Sequence, residues 1–331
     1  MLLKNWIPSI EEAPRLQQHN VQQVHHPHAR HLKEELEKLL INRNENRIAS
    51  LDIENMYSSV KNSTIKKAVN YFTSSLSPKA HQTTWLCLDL IQFGMSSTLI
   101  TFQDKYFEYK GQGRDPANQG LAIGGYESAF LASLIASYIL EKCSNEFENT
   151  LYHGIYRDDG LIIFNSKLTQ HQITDWLTKF QKEANHHAGE TFLQFTMLIW
   201  ENESKNIRKE DEGEVKISDK ISMIKSNHFP YLDIELRWNL NNKLYFWTHH
   251  KPNQKIKYVN ASSTHTRNTL RAIPQSILMR LASLTSRETS LENKIIDEIY
   301  PEHALALKKA KLMNSKFPTF KTLCEDYDSS T

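Results

Sequence analysis

A chain of 331 residues, 39% hydrophobic and 24% charged, is long enough for a sizeable core and about two domains or sub-domains, and its composition is that of a soluble globular protein. A formal net charge of +2 says little about partners. Three widely spaced cysteines, Cys87, Cys143 and Cys324, exclude a disulfide framework and a cysteine zinc site, and fit a reducing, intracellular compartment. The opening MLLKNWIPSIEE lacks the charged head and long apolar run of a signal peptide, and the longest stretch without charge or strong polarity, residues 128–140, is too short to span a bilayer. No localisation signal decides between nucleus and cytoplasm.

Residues 1–30 show no periodicity, and His25, His26 and His28 belong to an irregular polar leader rather than a metal site. Residues 29–43 read as an amphipathic helix with Leu32, Leu36, Leu39 and Leu40 on one face. RIASLDI, residues 47–53, reads as a buried strand with Asp52 near its end. Ser63 is the expected N-cap of a helix over 63–76, and Pro78 and Gly94 bracket another over 78–93. Residues 98–110 read as a hairpin turning near Gln103-Asp104. A small, polar loop over 111–118 leads to Gln119-Gly120, and an apolar helix over 128–143 implies burial on most sides.

The next segment, LYHGIYRDDGLIIF, sets two apolar runs, 151–157 and 160–164, around Asp158-Asp159-Gly160, the strongest kind of short hairpin signal. An amphipathic helix follows over 169–187 and a strand over 193–200. Residues 201–220 are charged and read as an exposed insertion. Residues 229–236 and 243–249 read as paired strands, and the remainder from about 263 as mainly helical, with Pro274 near a helix start. No internal repeat is present. The order predicts an α+β fold, an antiparallel sheet with helices on one face.

Asp52 and Asp158 are distant in sequence, yet both end strands that can be neighbours in one sheet. Carboxylate and carbonyl oxygens suit Mg²⁺ or Mn²⁺. Two such ions held close together stabilise the attacking and leaving oxygens of an in-line phosphoryl displacement. Three clustered aspartates repel one another unless cations or protons offset them, so such a cluster is costly without a metal. From the carboxylates alone, three unrelated surface acids would read the same way. Tyr57, five residues after Asp52, would then lie beneath the sugar of an incoming nucleotide and clash with a 2′-hydroxyl; as an isolated residue it also reads as an ordinary buried tyrosine. Gln119-Gly120 offers an amide donor and a backbone able to approach a nucleotide closely.

LDIENMYSSV, NQGLAIGGYESAFLASLI and YRDDGLIIF, in that order and spacing, resemble the palm of reverse transcriptases. FPYLDIEL, THHKPNQKIKYVNASSTH, Ile273-Pro274 and Met279-Arg280 resemble the palm-to-thumb region of Penelope-like retroelement polymerases and their relatives. The resemblance covers roughly residues 47–285 and implies a right-hand polymerase palm followed by a mainly helical thumb. Residues 1–46 would be a polar leader and truncated fingers-like helix, 47–250 the palm with a charged insertion near 201–220, and 251–331 a basic thumb-like region and tail. The implied activity is RNA-directed DNA synthesis from dNTPs on an RNA template and DNA primer, with two Mg²⁺ or Mn²⁺ ions. Asp52, Asp158 and Asp159 would be the catalytic carboxylates, and the Ile53 carbonyl would complete a metal shell. Tyr57 would be the sugar gate, Gln119 and Gly120 would contact nucleotide and template, and Tyr156 would lie near the primer end. The GIY-YIG endonuclease of many such elements has no counterpart after residue 285, and the short fingers suit a fragment, a degenerate copy or a compact member.

A basic stretch supports the thumb independently. Arg237, Lys243, Lys251, Lys255, Lys257, Arg267, Arg271, Arg280 and Arg287 occur with no Asp or Glu between them, and Trp238, Tyr245, Phe246, Trp247 and Tyr258 are interleaved. That is an electrostatic footprint for a phosphate backbone. Two other readings compete: a catalytically inactive palm-fold remnant that binds nucleic acid, and an RNA-dependent RNA polymerase, against which Tyr57 argues.

Overall fold

The computed structural model describes residues 24–25, 29–74, 76–96, 99–108, 120–121, 127–166, 168–201, 208, 212–239, 241–249, 256–286 and 300–312. The chain divides into two compact units. The first takes in Asn46–Glu201 and Glu214–Ile224; the second takes in Pro27–Glu45 and Lys225 onward.

The first unit is built on a seven-stranded sheet in the order β1-β5-β6-β2-β7-β9-β8. Its strands are β1 (Val24–His25), β2 (Arg47–Glu54), β5 (Thr150–Tyr156), β6 (Asp159–Phe164), β7 (Gln194–Glu201), β8 (Gly213–Lys216) and β9 (Ile221–Lys225). β2 lies between β6 and β7 and is antiparallel to both. One apolar face anchors its central position. Ala49, Leu51 and Ile53 alternate on one side and join the main core with Ile162, Phe164, Phe195, Met197 and Ile199.

Helices cover that face: α2 (Met56–Ser59), α3 (Asn62–Thr73), α4 (Pro78–Ser96), α5 (Ser128–Lys142) and α6 (Gln170–Ala188). α5 packs against both α3 and α6, which explains its near-continuous apolarity. α6 starts at a capping box: the Thr169 side chain accepts from the Gln172 N–H, and the Gln172 side chain accepts from the Thr169 N–H. Its Ile173, Leu177, Phe180 and Ala184 are buried, as their helical spacing predicts. A separate hairpin joins β3 (Leu99–Phe102) and β4 (Lys105–Glu108). Gln103 and Asp104 both have positive φ there, the signature of a type I′ turn at the expected place.

The second unit holds α1 (Ala29–Lys38) and a three-stranded antiparallel sheet of β10 (His228–Tyr231), β11 (Ile234–Trp238) and β12 (Leu244–Thr248). α7 (Arg267–Ser283) and α8 (Tyr300–Lys309) follow. Ser286 ties the end of α7 to β12: its N–H donates to the Phe246 carbonyl at 2.8 Å, and its hydroxyl accepts from the Phe246 N–H at 3.2 Å. No described helix is long and apolar enough to cross a membrane.

Several local expectations are corrected. α1 ends at Lys38, so Leu32 and Leu36 are buried while Leu40 stands 92% exposed. α3 begins at Asn62 with Lys61 at the N-cap, so Ser63 lies inside the helix, where its hydroxyl donates to Glu190 at 2.8 Å. α4 runs through Gly94 to Ser96, and α7 carries Pro274 in its interior rather than at its start. The leader contributes β1, a parallel edge partner of Gly154 and Ile155, so the sheet is mixed rather than purely antiparallel. The charged insertion contains β8, whose side chains are all exposed. Residues 229–236 form a hairpin rather than one strand, with Leu232 at positive φ in the turn between Tyr231 and Ile234. The loop over 111–118 lies outside the described residues.

Candidate active site

The expected hairpin exists, but its tip is displaced by one residue. Tyr156 pairs with Asp159, so the turn is Arg157-Asp158, and Asp159 and Gly160 belong to β6. Arg157 has φ 60°, and Asp158 is not among the positive-φ residues, which is a type II′ pattern. Gly160 is needed in the strand for another reason. A Cβ there would sit 3.2 Å from the Leu51 Cβ, so its absence lets β2 and β6 close tightly.

This register builds one row across the sheet: Tyr156 opposite Asp159, Asp159 opposite Asp52, and Asp52 opposite Thr196. Partners in register project to the same side. Leu51 and Ile53, the neighbours of Asp52, turn into the helix-covered core, so the row lies on the opposite face. The Ile53 N–H donates to the Asp158 carbonyl at 3.0 Å. That bond passes beside the Asp52–Asp159 pair, which therefore exchanges no backbone bonds of its own. In such pairs the Cα atoms approach to about 4.5 Å and the side chains lie closest.

Electrostatics follow from the row. Partial desolvation, then the Asp158 and Glu54 carboxylates, push Asp52 above the usual carboxylate range, while a hydrogen bond from the Ile53 backbone pulls it back. Asp159 is pushed up to about 6 by burial first, then by Asp158 and Asp52. The Asp52 and Asp159 anions are each destabilised by neighbouring carboxylates, and a cation placed among them would reverse that. Among the described residues, no three His, Cys, Asp or Glu side chains are placed together to hold a metal ion. The donor set nonetheless fits a hard divalent cation, which takes one or two carboxylates and keeps waters of its own.

Tyr57 sits on α2, just past β2, half-buried against the core. Asn55, at φ 52°, makes the sharp exit from the strand. Burial raises the Tyr57 phenol first; Arg157 lowers it, and Asp158 and Tyr156 raise it. Tyr57 is thus within electrostatic reach of the hairpin tip. Gly120 is buried against α2. A Cβ there would meet the Ser58 carbonyl oxygen at 2.6 Å and the Ser58 Cα at 2.7 Å, and the next residue, Leu121, donates its N–H to the Tyr57 carbonyl at 2.6 Å. Its visible role is to hold the segment that carries Tyr57. Gln119 lies outside the described residues.

Two residues of this region escaped the sequence reading. Arg157 places its guanidinium 5.1 Å from the centre of the Tyr156 ring. Thr196 completes the row from β7. The only signal for Arg157 was its place before the two aspartates; nothing in the sequence marks Thr196.

The basic residues of the second unit divide into two sets. Arg237 pairs with Glu235 at 2.7 Å and lies 4.8 Å from the Trp247 ring centre. Burial works to raise Glu235, but hydrogen bonding from His249 and the charge and hydrogen bond of Arg237 overcome it and hold the carboxyl at about 2. Arg280 pairs with Asp233. The two carboxylates thus stand just before the stretch that contains no acid of its own. Lys243 sits in a β-bridge to Asn42. Lys257, Arg267 and Arg271 are exposed, and Lys251, Lys255 and Arg287 lie outside the described residues.

No family model and no curated protein sequence matches the chain. Solved structures do. Telomerase from Candida albicans, in complex with a TWJ fragment of telomeric RNA, superposes with a TM-score of 0.51 at 10% identity, covering 98% of this chain and 46% of that one. Telomerase from Candida tropicalis, with a TWJ fragment of telomeric RNA, gives 0.47 at 12% identity over 94% of this chain and 46% of that one. The chain spans less than half the length of these telomerases. At such identity the likeness of the Candida albicans enzyme speaks for the fold alone. Telomerase is a reverse transcriptase, and this chain has a reverse-transcriptase-like α+β fold.

Proposed function

We propose that the chain is the polymerase core of an RNA-directed DNA polymerase that transfers dNTPs onto the 3′-hydroxyl of a DNA primer annealed to an RNA template, and that it belongs with the Penelope-like retroelement enzymes. The observation that carries this reading is the register pair Asp52–Asp159 with Asp158 at the adjoining turn. The sequence motifs that resemble the palm fall on those positions.

In this reading Asp52 and Asp158 hold Mg²⁺ or Mn²⁺, with Asp159 and the Ile53 carbonyl beside them. Two such ions, when bound, supply charge stabilisation to the attacking and leaving oxygens of an in-line displacement. The chain's own residues do the positioning. The II′ turn aims Asp158 from the end of a rigid ladder. Tyr57, propped by the Gly120-Leu121 strap, excludes a 2′-hydroxyl by bulk. Tyr156, in the row with Asp159, borders the primer end, and Gln119 contacts the nucleotide or template. Lys243, Lys251, Lys255, Lys257, Arg267 and Arg271 carry phosphate contacts in the second unit.

Template-dependent incorporation tests the proposal. With Mg²⁺ or Mn²⁺, the protein should extend a DNA primer on an RNA template with dNTPs, and Asp158→Asn should abolish extension. Retained binding of primer-template with no extension by the parent would favour the inactive palm-fold remnant instead.

A further inference from the structure

A second site lies in the helical layer of the first unit. α3, α5 and α6 enclose an open hollow of about 550 Å³, lined among the described residues by side chains from all three helices. Its walls carry Lys67 and Tyr71 from α3, Tyr138 and Lys142 from α5, and His186 and His187 from α6, and no carboxylate lines it. The acids nearby are engaged: Glu141 accepts from the Tyr71 hydroxyl at 3.3 Å, and Glu183 pairs with His187 at 3.1 Å.

The cations are held in place. The Lys142 ammonium stands 4.2 Å from the centre of the Tyr71 ring. Tyr71 is itself fixed edge-on against Tyr138, ring centres 5.5 Å apart. The Lys67 ammonium occupies the space that a side chain at Gly189 would fill, at the positive-φ residue that ends α6. Cations near helix C-termini offset the macrodipole, which accounts for Lys142 and the two histidines as separate residues. The same holds for Lys67, whose ammonium stands at the end of α6, but it does not account for a hollow lined by side chains of all three helices.

We propose that this hollow binds the phosphate of a nucleotide, presented either as one link of a single-stranded nucleic acid or as a free nucleoside triphosphate. The Lys67 and Lys142 ammonium groups, the His186 imidazole and the Tyr138 hydroxyl are donors that suit phosphate oxygens. The mixed polar and aromatic lining and the size suit a nucleotide-sized group better than a lone small ion. The proposal is independent of the carboxylate row, which lies on the other face of the sheet, and it stands whether or not the chain polymerises.

Hydrogen–deuterium exchange of the full chain, read on peptides covering α3 and the end of α6, gives a local readout that binding elsewhere does not move. The probes are inorganic tripolyphosphate and a short oligouridylate. Protection of those peptides by tripolyphosphate supports the site and assigns a free nucleotide as its ligand; protection by the oligonucleotide alone supports it and assigns a strand. The double variant Lys67→Ala/Lys142→Ala should weaken that protection roughly tenfold or more, and Lys67→Arg/Lys142→Arg should keep it. Absence of protection by either probe overturns the proposal, as does equal protection in the parent and the alanine variant.

Discussion

Asp52 and Asp159 stand opposite each other on β2 and β6 as a pair without mutual backbone bonds, because the Ile53 N–H reaches past them to the Asp158 carbonyl at 3.0 Å. This is the closest side-chain spacing an antiparallel sheet offers. Two carboxylates placed there, with a third at the adjoining turn, cost the fold stability.

That cost predicts a stabilising substitution inside the proposed active site. Burial, then the Asp158 and Asp52 carboxylates, push the Asp159 carboxyl up to about 6 from the usual 3.8. A raised folded value contributes stability that is fully present below 3.8 and is lost as pH rises through about 6. Near neutral pH, in chelator, Asp159→Asn should therefore melt higher than the parent. After discount for solvent screening the gain is on the order of 1 kcal/mol, or roughly 2–4 °C. A lower melting temperature for the variant near neutral pH would contradict the account.

His153 predicts the opposite slope. It is 3% exposed on β5, stacked 4.1 Å from Phe147, with no partner for Nε2, and burial lowers it to about 4 from 6.5. Its neutral form is folded in. Stability is present above 6.5 and is lost as pH falls towards about 4. The full loss is roughly 3 kcal/mol. Denaturant midpoints across that window should fall on acidification in the parent and flatten in His153→Phe; equal slopes would remove His153 from the account.

Gly120→Ala should couple stability to activity. Its Cβ meets backbone, not a flexible side chain, at 2.6–2.8 Å. Backbone has to shift, at a cost of about 1–3 kcal/mol, and the shifted segment is the one that carries Tyr57. Unfolding by urea should show the loss; a variant as stable as the parent would mean that the strap does not hold α2.

Tyr57→Ala tests the sugar gate. Removing the ring should raise ribonucleotide incorporation relative to deoxyribonucleotide by roughly ten- to a hundredfold, measured as a ratio of kcat/KM values. An unchanged ratio would move the gate elsewhere.

Much of this architecture was legible in the sequence, and the misses have physical causes. RIASLDI was a strand because its alternate residues had to enter a core. The α6 boundary was readable because Thr169 and Gln172 cap each other, and the Gln103-Asp104 turn because both residues tolerate positive φ. The Asp-Gly rule placed the hairpin turn one residue late. Gly160 is required by the close approach of Leu51 rather than by the turn, and Arg157 takes the positive φ. Ser63 failed as a cap because the helix begins one residue before it, at Asn62, which puts Ser63 inside the first turn. The row Tyr156–Asp159–Asp52–Thr196 depends on register across four strands, which residue types alone do not encode. The basic stretch read as uniformly available because the acids that engage Arg237 and Arg280 lie just outside it, at Glu235 and Asp233.

The most direct test of the central claim, that the carboxylate row is a divalent-cation site, is Mn²⁺ binding followed by electron paramagnetic resonance, with melting temperature read on the same samples. The parent should bind Mn²⁺ and melt higher with it, because an ion that binds only the folded state stabilises that state. Asp52→Asn and Asp158→Asn should lose both effects while remaining folded. Equal binding and equal thermal shifts in the parent and both variants would contradict the account.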